Sequence, residues 1–210
     1  ANGNRLWSTY FGGYADEYSS DASADPFGNL YIAISTASDT GLAYQGFQNN
    51  PTGQPVQNCN LLAKFNINGQ RVWATYYGGV SEGTPKCSSD KNGNIYLSGS
   101  TSESFLISTS GSFQESNNGS GDMYLAKFDS SCNRIWATYF GGIFGEEMSD
   151  MTCDKNNSIY LCGTTESDGL GYNGFKDTLS SYLDAILVKF DSSGSRLWST
   201  YYGGTGIERF

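Results

Sequence analysis

The chain has 210 residues, of which 15% are aromatic, 16% are charged and 27 are glycine, and its formal net charge is −9. This composition is typical of an all-β protein with many tight turns, and it excludes a disordered or coiled-coil chain. The negative charge would repel nucleic acid. The absence of histidine excludes Ser-His-Asp, Cys-His and HExxH chemistry. We expect no cofactor, no metal site and no membrane span.

A nine-residue segment near the start of the chain recurs three times. It reads "RLWSTYFGG" at 5–13, "RVWATYYGG" at 71–79, "RIWATYFGG" at 134–142 and "RLWSTYYGG" at 196–204. The tryptophans of these segments are Trp7, Trp73, Trp136 and Trp198, at spacings of 66, 63 and 62 residues. Self-similarity at a nearly constant period predicts a repeat architecture.

Each period contains four runs that favour β-strands. A small, polar run such as 19–25 comes first, and an alternating apolar run such as 30–35 follows a turn. After a longer connection come "LLAKF" at 61–65, a five-residue turn and the tryptophan strand. Four antiparallel strands per repeat predict the blade of a β-propeller, with the small residues at the crowded axis and the bulky ones outside.

Counting these runs gives three complete blades and one additional tryptophan strand. We therefore interpret 1–210 as a single β-propeller segment, about three blades long, of a larger propeller. The predicted parts are 1–13, the outer strand of a preceding blade; 14–79, 80–142 and 143–204, one blade each; and 205–210, the start of a next blade.

The repeated motifs resemble the SBBP β-propeller repeat family. They are GG, Asp-x-x-Gly-Asn-x-Tyr, GxFQ, KF[DN] and W-x-TY-x-GG; Asn60 departs from the aspartate found at Asp122 and Asp184. The resemblance implies a noncatalytic scaffold or interaction module of a large secreted or cell-surface bacterial protein. It further implies a Bacteroidota-like protein that is cargo of the type IX secretion system and is linked to adhesion or gliding. The implied partners are other domains of the same long chain, the export machinery or a surface protein, with a glycan as an alternative.

Most distinctive side chains recur once per blade, which indicates a structural role. Besides the four tryptophans, they are Glu17, Glu82 and Glu146 after the Gly-Gly pairs, and Asp25, Asp90 and Asp154 beside a turn. An aspartate in that position is expected to accept hydrogen bonds from turn amides.

A catalytic pair of carboxylates should break the repeat symmetry. Asp21 and Asp150 do so in part, because Lys86 stands in the equivalent place. They support the alternative of a carbohydrate-active propeller, either a glycosidase or a polysaccharide lyase. We assign no catalytic residue.

The long connections between the second and third strands are the variable part of the repeat. Tyr44 in "GLAYQGF" and Tyr172 in "GLGYNGF" recur in two blades only. Because loops on a rigid scaffold often carry binding residues, these two are candidate aromatics for stacking on a sugar or a partner protein, with packing inside the blade as the alternative. The five cysteines are interpreted mostly as small buried hydrophobes, and their disulfide state is left open.

Overall fold

The computed structural model describes residues 2–52, 58–79, 81–104, 106–206 and 208; the side chains of Ser19, Ser20 and Glu82 lie outside this description. The described residues form twelve β-strands and no helix. The strands are β1 (Glu17–Ala24), β2 (Leu30–Thr36), β3 (Cys59–Phe65), β4 (Arg71–Tyr77), β5 (Glu82–Ser89), β6 (Ile95–Thr101), β7 (Asp122–Phe128), β8 (Arg134–Phe140), β9 (Glu146–Cys153), β10 (Ile159–Thr165), β11 (Asp184–Phe190) and β12 (Arg196–Tyr202).

The strands are grouped into three antiparallel sheets, each with its strands in chain order. Strands β1 to β4 form blade 1, β5 to β8 form blade 2, and β9 to β12 form blade 3. Three four-stranded antiparallel sheets confirm the predicted fold class, a β-propeller with about three blades in this chain. Residues 2–13, which include most of the predicted outer strand of a preceding blade, form no strand.

The hairpins between the first and second strands of each blade depend on one residue in the left-handed backbone region. Gly28 and Gly93 have φ values of 83° and 80°, and Asn157 takes the same position in blade 3 with φ 63°. Glycine adopts this conformation freely, and asparagine does so more readily than most other residues. The replacement of glycine by Asn157 in the third repeat is therefore compatible with the same turn.

The first strands of the three blades lie side by side at the centre of the molecule, so β5 contacts both β1 and β9. The amide of Ser89 donates to the hydroxyl of Ser23 over 3.0 Å, and the amide of Cys153 donates to the hydroxyl of Ser88 over 3.0 Å. Small hydroxyl side chains let the strands approach closely and satisfy backbone amides that have no partner in their own sheet. This places the small, polar runs at the axis.

The free edge of each outer strand is covered by the long connection of the same blade. In blade 1, Tyr44 and Ala74 exchange two backbone hydrogen bonds of 2.8 Å, and the amide of Tyr76 donates to the carbonyl of Gln48 over 3.0 Å. A strand edge left open is a template for unwanted pairing. The connections therefore have a structural role.

Two further observations concern the cysteines and membrane insertion. All five cysteines are free; Cys59, Cys87 and Cys132 are buried, and the other two are partly buried. Burial raises the pKa of the Cys87 thiol to about 12, as expected for a small hydrophobe with an unreactive thiol. The described residues contain no helix that could cross a membrane.

Candidate functional site

The turn aspartates bind the backbone of their own hairpins. Asp25 Oδ1 accepts hydrogen bonds of 2.9 Å from the amides of both Phe27 and Asn29, and Asp90 and Asp154 hold the equivalent turns in the same way. Burial raises the pKa of Asp25, but a 2.7 Å hydrogen bond from Asn29 Nδ2 to Oδ2, together with the two amide bonds, outweighs burial and leaves the pKa below its usual value. The Oδ1 lone pairs are used within the turn, so these groups do not resemble general acids.

Glu146 and Glu17, which follow Gly-Gly pairs, accept hydrogen bonds at the start of the first strand of a blade. Glu146 Oε1 accepts a 2.6 Å hydrogen bond from the hydroxyl of Thr165, and its Oε2 accepts a 2.8 Å bond from the amide of Gly142. Glu17 accepts equivalent hydroxyl bonds in blade 1. The side chain of Glu82 lies outside the described residues.

The Gly-Gly pair is explained by what surrounds it. A Cβ at Gly141 would collide with the carboxylates of Asp122 and Glu146, and a Cβ at Gly142 would collide with the side chain of Ser167. Any larger residue would push the glutamate away from the start of its strand. At this junction the glycine pair therefore leaves room for a buried carboxylate, and Gly12 and Gly13 likewise lie beside the carboxylate of Glu17.

Asp122 and Glu146 bring two buried carboxyl groups together at the junction of blades 2 and 3. Asp122 Oδ2 accepts bonds of 2.5 Å from Gln114 Nε2 and 3.1 Å from the amide of Asn118. Its Oδ1 has no hydrogen-bond partner among the described residues. Burial, together with repulsion from Glu146, raises the pKa of Asp122 to about 6. Burial also raises the pKa of Glu146.

The equivalent site in blade 3 has a lysine beside its carboxyl groups. Asp184 is fully buried and forms a 3.0 Å ion pair with Lys176, which stands where blade 2 has Gln114. Asp184 Oδ1 and Glu208 Oε2 lie 2.7 and 2.8 Å from the position that a Cβ of Gly203 would take. The carboxyl pair thus recurs, but with a cation beside it.

A cavity of about 350 Å³ opens between blades 2 and 3. Its lining includes Glu146, Glu147, Glu166 and Tyr182, together with serine and threonine residues, and no lysine or arginine lines it among the described residues. The Tyr182 hydroxyl donates a 3.1 Å hydrogen bond to Glu166 Oε2. This acidic cavity offers hydrogen-bond acceptors beside an exposed aromatic ring, which is chemistry that suits a polyhydroxyl ligand.

Sequence reasoning missed the residues that make this cavity distinct, although the signal was present. Glu147 stands where the other blades carry Tyr18 and Gly83, and the positions of Glu166 and Tyr182 likewise hold neither an acid nor an aromatic residue in the other blades. These three side chains break the repeat symmetry. Glu147 lies on the innermost strand β9, next to the repeated Glu146, whereas Glu166 and Tyr182 lie in the connection between β10 and β11.

The two carboxylates singled out from the sequence lie elsewhere. Asp21 Oδ2 accepts a 2.9 Å hydrogen bond from the amide of Cys87, so it ties blade 1 to blade 2. Asp150 Oδ1 accepts a 2.9 Å bond from the amide of Met151. Neither residue lines the acidic cavity. Asp21 therefore has a structural partner, and a catalytic role for this pair stays a prediction.

The candidate loop aromatics also lie outside the acidic cavity. Tyr44 and Tyr172 are each a little under half exposed, and their rings lie 4.8 and 4.6 Å from the guanidinium groups of Arg71 and Arg196. One face of each ring is thus used within its own blade by a cation–π contact. Their role in ligand binding stays a prediction.

The repeat tryptophans tie each blade to the next. Trp73 Nε1 donates to the carbonyl of Ser130, and Trp136 Nε1 donates to the carbonyl of Ser192, both over 3.1 Å. Of the other two tryptophans, Trp7 lies against Gly69 in the turn between β3 and β4, and Trp198 lies on β12, the outer strand of blade 3.

Comparison with known proteins found a relative that contains WD repeats. No family model matches the chain. It is 23% identical over 177 residues to an uncharacterised WD repeat-containing protein of Acanthamoeba polyphaga mimivirus, a match that covers 70% of this chain and 13% of that protein. WD repeats form four-stranded propeller blades. The chain also matches a structure of a protein of unknown function from Bacteroides caccae, with 10% identity, a TM-score of 0.37, and coverage of 94% of this chain and 71% of that one.

Proposed function

We propose that the chain is a noncatalytic β-propeller scaffold that presents binding surfaces to other proteins. The observation that carries the proposal is the internal use of the repeated polar groups, because the turn aspartates, Glu17 and Glu146 accept hydrogen bonds from neighbouring groups of the scaffold. Groups committed to the scaffold are not free to act on a substrate. The similarity to a WD repeat-containing protein supports the same class.

We propose in addition that the parent protein is secreted or displayed on a bacterial surface, is exported by the type IX secretion system, and serves adhesion or gliding. This extension depends on the resemblance of the repeated motifs to SBBP repeats. Protease treatment of intact cells that produce the full-length protein tests it. Degradation of the propeller in intact cells is expected, and protection from protease until the cells are lysed would contradict export to the surface.

The acidic cavity favours a second candidate function, the recognition of a glycan. Glu147, Glu166 and Tyr182 depart from the repeat and meet in one concave site, and asymmetric residues are where a repeat protein can carry a specific site. Carboxylates accept hydrogen bonds from sugar hydroxyls, and a tyrosine ring can stack on a sugar face.

A glycan array and a panel of chromogenic glycosides separate the two candidates. The scaffold proposal predicts no turnover of any glycoside, and the full-length protein should be cross-linked to other polypeptides through its blade surfaces. Specific binding that is lost in both Glu166→Gln and Tyr182→Ala would favour glycan recognition. Hydrolysis that is lost in Glu166→Gln or Asp150→Asn would overturn the noncatalytic proposal.

A further inference from the structure

The loops of the propeller lie at two opposite ends of the blades. Because the strands of each sheet are antiparallel and stand in chain order, successive loops alternate between the two ends. One end, which we call the turn end, holds the short turns β1–β2 and β3–β4 and their equivalents in the other blades. The opposite end, which we call the connection end, holds the loops that join one blade to the next, and the long connections between second and third strands begin and finish there.

The long connections carry mainly negative charge. Their acidic residues are all exposed or half-buried, and they are Asp39, Glu103, Glu115, Glu166, Asp168 and Asp177. Among the described residues of these connections, the one basic side chain is Lys176, whose charge is used by its ion pair with the buried Asp184. The connection end therefore presents a negative field to its surroundings.

The turn end lacks this excess of acids. Its aspartates, such as Asp25 and Asp129, accept hydrogen bonds from the amides of their own turns. Basic residues stand in the turns or directly after them, and they are Arg71, Lys91, Arg134, Lys155 and Arg196. The net charge of −9 is thus concentrated at the connection end.

One loop at the connection end presents two apolar side chains to solvent. Ile143 and Phe144 are 71% and 50% exposed, and they lie in the loop that joins β8 of blade 2 to β9 of blade 3. Because blades 2 and 3 are both complete, these side chains do not belong to an unfinished edge. The corresponding loop between blades 1 and 2 is one residue shorter and reads "VS" at 80–81. The apolar pair is therefore specific to this junction.

The backbone of this loop is held by both of its neighbouring blades. On the blade 3 side, the amide of Phe144 donates a 2.9 Å hydrogen bond to Ser167 Oγ. On the blade 2 side, the amide of Glu146 donates over 2.8 Å to the carbonyl of Gly121. A loop that is already ordered loses little conformational entropy when a partner covers its side chains.

Acidic residues lie beside the apolar pair. The amide of Glu166 donates a 3.1 Å hydrogen bond to the carbonyl of Gly145, the residue after Phe144, and Glu147 is exposed at the start of β9. Protein interfaces commonly combine an apolar centre with a polar rim. A rim of carboxylates attracts lysine and arginine and repels acidic surfaces. This surface therefore fits a partner that is both basic and apolar.

We propose that the connection end binds a partner protein through a segment in which lysine or arginine side chains accompany apolar side chains. Ile143 and Phe144 receive the apolar side chains of this segment, and Glu147 and Glu166 receive its basic side chains. The inference rests on the proposed scaffold function and adds to it the binding surface and the chemistry of the partner.

Fluorescence anisotropy of a labelled peptide mixed with the 210-residue chain tests the proposal. The peptide combines lysine and arginine with leucine and tryptophan, and a second peptide has glutamate in place of each basic residue. We expect only the first peptide to bind, with an affinity that falls as the salt concentration is raised from about 0.05 M to about 0.5 M. Phe144→Ser together with Ile143→Ser should weaken binding at least about tenfold, as loss of a central apolar anchor does.

Matched variants separate the connection end from the rest of the surface. Ile67→Ser removes a side chain that is 67% exposed in the β3–β4 turn and should leave binding unchanged. Glu147→Gln with Glu166→Gln should weaken binding about three- to tenfold. Lys91→Gln with Lys155→Gln changes the net charge by the same amount in the opposite direction and should have no effect. Tighter binding by this lysine variant would show that net charge alone attracts the peptide, and would overturn the proposal.

The remaining outcomes distinguish this inference from the proposed function. The inference is wrong if the basic peptide does not bind, or if it binds equally well after Ile143 and Phe144 are replaced. It is also wrong if a glycan, and not the peptide, binds in a way that Phe144→Ser and Glu166→Gln abolish. In each case, cross-linking of the full-length protein to other polypeptides through another surface would leave the scaffold function standing, whereas the absence of any cross-linked polypeptide would contradict that function as well.

Discussion

Replacing Asp122 by asparagine should stabilise the protein at neutral pH. Asp122 is fully buried, its Oδ1 has no hydrogen-bond partner among the described residues, and the carboxylate of Glu146 lies beside it. An asparagine oxygen can keep the bonds that Oδ2 accepts, while its amide can donate toward Glu146. Blade 1 provides a precedent, because Asn60 occupies the equivalent position and its amide is hydrogen-bonded through both Oδ1 and Nδ2.

The magnitude follows from the raised pKa of Asp122. Burial and Glu146 move this pKa from 3.8 to about 6, so the folded state binds the proton more tightly than the unfolded state. The free energy of unfolding therefore falls as the pH increases from about 4 to about 6. The difference between these two pKa values corresponds to at most about 3 kcal/mol of lost stability at pH 7. Asp122→Asn removes this cost.

Urea unfolding of the wild type and of Asp122→Asn at pH 4, 5.5 and 7 measures the effect. The variant should gain about 1–3 kcal/mol at pH 7, and the difference should become small at pH 4. Asp184→Asn is the matched control, since it removes the partner of Lys176 and should cost about 1–3 kcal/mol at pH 7. The reasoning is wrong if Asp122→Asn is less stable at pH 7, or if its advantage does not grow between pH 4 and pH 7.

Gly141→Ala should lower the free energy of unfolding in urea by about 1–3 kcal/mol, because the added Cβ meets two carboxylates. Gly145→Ala is the control: no atom lies within 4 Å of its added Cβ, so the free energy of unfolding should change by less than about 0.5 kcal/mol. Equal effects would contradict this explanation of the Gly-Gly motif. Asp25→Ala should cost about 1–3 kcal/mol at pH 7. Because hydrogen bonds lower the pKa of Asp25 despite its burial, the stabilisation by its carboxylate should disappear as the pH falls below about 4. If thermal melts show that Asp25→Ala loses the same stability at pH 3 as at pH 7, this explanation is wrong. The pKa of both Cys59 and Cys87 is raised to about 12 by burial, so a thiol reagent at pH 8 should label them only after unfolding, and rapid labelling of the native protein would show that they are accessible.

The repeat made the fold accessible from the sequence. Three copies of each motif identify the strands, their order and the turns, because a hairpin depends on local residues such as Asp25 and Gly28. The period also predicts small residues at the axis and tryptophans between blades. Residues 5–13 show the limit of this reasoning, since their sequence is that of an outer strand, but the described residues give them no ladder partner and they form no strand.

The acidic cavity and the carboxyl pair were decided only by the tertiary structure. Ser100 of blade 2 lines the same cavity as Glu166 of blade 3, and Asp122 of one blade faces Glu146 of the next. Local pattern fixes which residues form a strand and which way they point, but the chemistry at a junction depends on which side chains two separate sheets bring together and how far water is excluded from them. Burial raises the pKa of Asp122 above that of an exposed aspartate. Burial is a property of the packed blades and cannot be read from any one repeat.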